Sequence, residues 1–80
     1  MKNFIVDCPT RRVKLVIKVL GKKVNIQEVA TYAMDRHITR ISFTSELTEE
    51  QLEKKLFNNK DLLKVLDYYD TLAVVESALN

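Results

Sequence analysis

Glycine, proline and cysteine each occur only once in these 80 residues. One glycine and one proline leave little room for long loops or flexible linkers, so the chain is expected to form one domain. The lone cysteine, Cys8, excludes an internal disulfide and gives no sign of an oxidising compartment. Beside Pro9 it reads as a small buried filler rather than a reactive thiol. Long apolar runs are missing as well. The N-terminal "MKNFIVDCPT" is too short in its apolar part for a signal peptide, and no segment is long enough to span a bilayer. A soluble cytoplasmic protein, with no membrane partner, is the expectation. Neither sign of charge dominates: thirteen basic residues face eleven acidic ones, a net charge of +2. That balance does not point to nucleic acid by charge alone.

What is present is the composition of a folded domain, with 46% hydrophobic and 30% charged residues. A chain this short buries a modest fraction of its surface, so oligomerisation or docking on a partner is expected to supplement its stability. The basic residues gather early, at Arg11, Arg12, Lys14, Lys18, Lys22 and Lys23, and most acids lie between Glu46 and Asp70. The plain reading is two solvated faces of opposite sign; the sharper one is a charged docking surface.

Local patterns place the elements. "NFIVD" reads as a short strand, about Asn3 to Val6. Pro9 suits the first turn of a helix, for which Asp7 and Thr10 are candidate caps. Arg11 to Leu20 carries two periods at once. Val13, Leu15, Ile17 and Val19 alternate as in a strand, whereas Val13, Val16, Ile17 and Leu20 line a helical stripe. β-branched content favours the strand, and the Pro9 start with the Gly21 stop favours the helix. "VNIQEVATYAM" and "ITRISFT" read as a hairpin about a polar turn, Asp35 to His37. Thr48 with Gln51 forms a capping box, flanked by a Leu47–Leu52 staple, and starts a helix that "FNNKD" ends. "LLKVLDYY" reads as a last strand, Leu62 to Tyr68. The tail from Thr71 is left as a short helix, with Leu72, Val75 and Leu79 on one side, or as a swapped segment.

Gln51 to Asp70 resembles the end of the ACT domain in the small regulatory subunit of acetolactate synthase. The matching positions are Gln51, Leu52, Lys54, Leu56, Asp61, Leu63, Lys64, Val65 and Asp67. "TRISF" (39–43), "VNI" (24–26) and Asp7 with Pro9 are similar to further stretches of that family in the same order and spacing. The resemblance covers residues 3 to 70. It makes Arg11 to Leu20 a helix and implies an α+β, ferredoxin-like βαββαβ sandwich, a four-stranded antiparallel sheet with two helices on one face. Residues 1–70 are then the ACT-like domain and 71–80 a C-terminal tail.

The resemblance further implies a non-catalytic regulatory subunit in branched-chain amino-acid biosynthesis. It would form a side-by-side homodimer and act on a large catalytic subunit that carries the flavin, thiamine diphosphate and magnesium; this chain itself would hold no cofactor or metal. An effector such as valine would be held by Asp7, Thr10, Arg11, Asn25 and Ile26. Loop amides at a helix start suit a carboxylate, and an Asp or Asn side chain suits an ammonium group. Binding is expected to be weak, because the family's loop glycine falls at Thr10 and a core leucine at Arg12. The residues themselves offer little else. His37 has no second ligand beside it and reads as a solvated turn residue. An acylphosphatase-like role for Arg11 or Arg12 lacks a glycine-rich cradle. An RRM-like nucleic-acid binder would need Phe4 and Phe43 on the open sheet face, whereas both read as core.

Overall fold

The computed structural model describes residues 1–77. Its elements are β1 (Lys2–Pro9), a single 3-10 turn (Thr10–Arg12), α1 (Val13–Leu20), β2 (Val24–Thr31), β3 (Ile38–Ser45), α2 (Glu49–Phe57), α3 (Lys60–Val65) and β4 (Ala73–Glu76). The strands pair antiparallel in the order β2-β3-β1-β4. This is a ferredoxin-like α+β fold, with the helices packed on the sheet.

The ambiguous stretch is a helix. Pro9 stays extended (φ −60°, ψ 134°) and hands over to the 3-10 turn. Neither Asp7 nor Thr10 caps that turn or α1, contrary to expectation, because their side chains bond to the neighbouring strands and the hairpin turn instead. Val16 and Leu20 are buried, while Lys14 and Lys18 face solvent, so the helical period matches the burial. Gly21 ends α1 at φ +83°, a conformation that a side chain would strain. The Lys55 ammonium then donates to the carbonyl of Leu20, at 3.1 Å, and satisfies one of the last helical acceptors.

Burial alternates along all of β3 and along β1 as far as Cys8. Phe4, Val6 and Cys8 on β1, with Thr39, Ile41, Phe43 and Ser45 on β3, point under the helices. Phe4 lies directly opposite Phe43, and their rings stack with centroids 5.6 Å apart. Leu52 and Leu56 of α2, Leu62 of α3 and Val74 of β4 close this core. The capping box is present: the Gln51 amide donates to Thr48 Oγ1 at 3.1 Å and the Thr48 amide to Gln51 Oε1 at 2.9 Å. Leu47 packs against the core beside buried Leu52, as a staple would.

Two expectations are corrected. The last strand is not at Leu62 to Tyr68. That stretch forms α3 and the loop after it, because Asn59 caps the helix, accepting from the Leu62 amide at 2.9 Å. Asp61 in the first turn and Lys64 in the last suit the helix dipole. The fourth strand is instead Ala73–Glu76, within the stretch read as a tail. It pairs Val74 with Val6 and Val75 with Ile5 of β1. The alternative of a helix there is therefore set aside over 73–76, and Leu79 lies outside the described residues. The other correction is smaller: β2 stops at Thr31, short of Met34. The turn beyond it is closed by Asp35, whose carboxylate accepts from the His37 amide at 3.0 Å.

Candidate functional site

The edge strand β2 breaks the pattern of its neighbours. Across its eight residues only Val24 is buried. Ile26 and Val29 lie opposite Phe43 and Ile41, on the helix side of the sheet, yet they are 38% and 46% exposed. The helix layer stops short of them. A bulge between Ile26 and Glu28 shifts the register there. The result is an apolar ledge beside a free sheet edge, whose outward amides and carbonyls can pair with another strand.

The other face of the sheet carries a polar cluster. Arg40 on β3 grips Asp7 on β1 with two bonds, Nε to Oδ1 at 2.9 Å and Nη2 to Oδ2 at 3.1 Å. Tyr32, just past β2, donates its hydroxyl to Asp7 Oδ2 at 3.0 Å, and the Arg40 guanidinium lies over its ring at 5.4 Å. The bond from Arg40, aided by that from Tyr32, holds the Asp7 carboxyl below the usual carboxylate range although burial opposes it. The Tyr32 hydroxyl is pushed up, by desolvation first and then by its bond to Asp7.

Thr10 is fully used inside the domain. Its amide donates to the His37 carbonyl at 2.8 Å, its hydroxyl to the Arg36 carbonyl at 2.7 Å, and it shares a 2.8 Å bond with the Thr39 hydroxyl. Arg11 turns the other way, pairing with Asp70 at 2.6 Å and Asp67 at 3.4 Å. That bond, with the Asp67 amide, lowers the Asp70 pKa. It also braces the loop on which Tyr68 and Tyr69 stand almost wholly exposed.

The five residues expected to hold an effector therefore do not meet within one chain. Asp7, Thr10 and Arg11 sit at one end of the sheet. Asn25 and Ile26 sit near the other, in the rows of Asn3 and Phe4, so Asn25 lies roughly 13 Å along the strands from Asp7. Asn25 points to the open face with Asp7, whereas Ile26 belongs to the ledge. Two partners of Asp7 were not among the expected set, Tyr32 and Arg40. Alternation puts Arg40 on the solvent side, but only the strand register brings it opposite Asp7.

Chemistry of other kinds has few supports here. Burial pushes the Cys8 thiol up to about 11, and the side chain is inaccessible. Among the described residues no three His, Cys, Asp or Glu side chains are placed to hold a metal. Phe4 and Phe43 stack on each other in the core, so the exposed face of β1 and β3 presents no ring for a nucleobase. No helix among the described residues is long and apolar enough to cross a membrane. The chain matches no protein-family model, no curated protein and no solved structure.

Proposed function

We propose that this chain is a non-catalytic regulatory module of ACT type, which pairs with a second copy through β2 and docks on the catalytic subunit of acetolactate synthase. The β2 ledge is the observation that carries the pairing. A second copy joined antiparallel along β2 would continue the sheet and set its own apolar ledge beside Ile26 and Val29. Such a contact is isologous and closes on itself. It also reverses the strand, so that Asn25 of the partner subunit approaches the end where Asp7 and Thr10 lie. Two strands, β2 and β3, still lie between the partner subunit's Asn25 and Asp7, about 14 Å across the sheet, so the pairing does not bring the expected effector residues into one site.

The choice of client rests on the resemblance. The strand it implied at Leu62 to Tyr68 is the end of α3 and a loop here, so the support comes from the ferredoxin-like order, Asn25 at the start of β2 and Arg40 on β3. Co-purification with a tagged catalytic subunit of acetolactate synthase, followed by assay of acetolactate formation with and without this chain, is the direct test. No association and no change in rate would remove the client and leave only the dimer.

Valine binding is expected to be weak. The Thr10 amide already serves the His37 carbonyl, and Thr10 carries a Cβ where the family has glycine. Loss of one or two good contacts to a charged ligand costs on the order of several kcal/mol, which moves micromolar affinity towards millimolar. Calorimetry decides it: micromolar valine binding by the unmodified protein would show that the loop argument fails.

A further inference from the structure

We infer that the basic surface formed by Lys14, Lys18, Lys22 and Lys23 binds an acidic peptide segment of another protein, with an apolar residue of that segment seated in the groove beside Lys22 and Lys23. This rests on reading the chain as a non-catalytic interaction module.

The charge distribution comes first. From Cys8 to Gln27 there is no acidic residue, and six basic ones lie in that span. Folding brings carboxylates to cations elsewhere: Asp70 to Arg11, Asp7 to Arg40, Glu76 to Lys2 and Glu50 to Lys54. Among the described residues it brings none within ion-pair distance of these four lysines. All four are exposed. Lys14 and Lys18 stand one turn apart on the outer side of α1, and Lys22 and Lys23 follow Gly21 directly. A row of unpaired cations on a rigid helix and its tight turn is complementary to a row of carboxylates.

The groove tells one polyanion from another. It measures about 520 Å³ and lies between the turn after α1 and the start of α2. Met1 and Leu47 supply apolar surface, Asn25 and Gln51 supply amide groups, and Glu46 stands in the wall. A peptide can place an apolar side chain there and use the amides for its backbone. A phosphate backbone has no apolar group to insert there. Lysines are compact point charges without the planar fork that arginine offers to phosphate. The central strands also present no exposed ring for base stacking.

Fluorescence anisotropy with a labelled peptide of alternating glutamate and leucine tests this, with polyglutamate and a single-stranded oligonucleotide as competitors. The alternating peptide is expected to bind best, and to weaken about tenfold between low and physiological salt. Lys14→Glu with Lys18→Glu, and separately Lys22→Glu with Lys23→Glu, should each weaken it by about tenfold or more. Circular dichroism should show the variants folded. Equal binding by the charge-reversed variants overturns the inference. Polyglutamate binding as tightly as the mixed peptide removes the groove's part, and tighter oligonucleotide binding replaces the peptide by nucleic acid. Sedimentation reads the β2 dimer separately: a monomer that still binds the peptide sinks the dimer and leaves this surface standing.

Discussion

β1 and β2 are both eight-residue strands, and both are bonded to β3. Their fates differ completely. β1 is central, sandwiched between β3 and β4, and every second residue from Phe4 to Cys8 is almost wholly buried. β2 is at the edge and overhangs the helices, so Ile26 and Val29 remain wet on the side where β3 is dry. Strand-forming residues are therefore no guide to where the stability lies. β1 and β3 hold the domain together through Phe4, Phe43 and the leucines of the helices. β2 contributes backbone pairing and a surface that lacks its cover.

The sharpest way to break this comparison is to truncate a core ring and an edge side chain in parallel. Phe43→Ala should cost about 3–5 kcal/mol, enough to threaten folding of so small a domain. Ile26→Ala should leave the monomer's stability nearly unchanged. Denaturant unfolding of the two variants checks it, and equal losses would mean that β2 is part of the core after all.

Next in size is the interface. Ile26→Lys with Val29→Lys places two charges on the ledge, and should weaken self-association by about a hundredfold, roughly 2.7 kcal/mol, while the fold persists. Sedimentation of the unmodified protein at tens of micromolar should give a dimer. A monomer there, or a double variant that still dimerises, counts against pairing through β2.

The polar cluster tests how β1 is tied to its neighbours on the open face. Asp7→Ala removes three hydrogen bonds from Arg40 and Tyr32 and should cost about 1–2 kcal/mol. The sign with pH follows from the lowered Asp7 pKa. Its folded value lies below the unfolded one, so the stabilisation is present above about pH 4 and disappears as pH falls through the lowered value. Acid unfolding of the Asp7→Ala variant should accordingly be shallower in that range.

The smallest effect belongs to α3. Asn59→Ala should cost about 1 kcal/mol through loss of the cap on the Leu62 amide. A loss of helical circular dichroism with it would show that this cap decides between helix and strand. No change at all would leave the helicity of Lys60–Val65 to Leu62 packing alone.

Local chemistry was legible wherever a residue's role depends on neighbours three or four positions away. Thr48 with Gln51 announces a helix start because both ends of the box lie within one turn. Strict alternation on "ITRISFT" announces one buried and one wet face because a strand has period two. Asn59 carried the same kind of signal before Leu62, but the leucine and valine run after it also fitted a strand. Burial of Leu62 in the core, with α3 against α1 and α2, accompanies the helical outcome. The candidate site was less legible. Asp7 and Arg40 stand 33 residues apart, and only the β1–β3 register makes them partners. Thr10 looked like a loop residue open to a ligand until the hairpin carbonyl of His37 took its amide.

The sequence by itself determined the Thr48–Gln51 capping box, the polar turn at Asp35 to His37, the core-facing residues of the central strands and the basic run on α1, because each is set by spacing within one element. The helix over Arg11 to Leu20, open on spacing alone, was already implied by the resemblance. Only the tertiary structure decided that the fourth strand comes from Ala73–Glu76 and that β2 is left uncovered. Those outcomes depend on which surfaces remain for each segment once the others have packed, and that competition involves residues far apart in the chain.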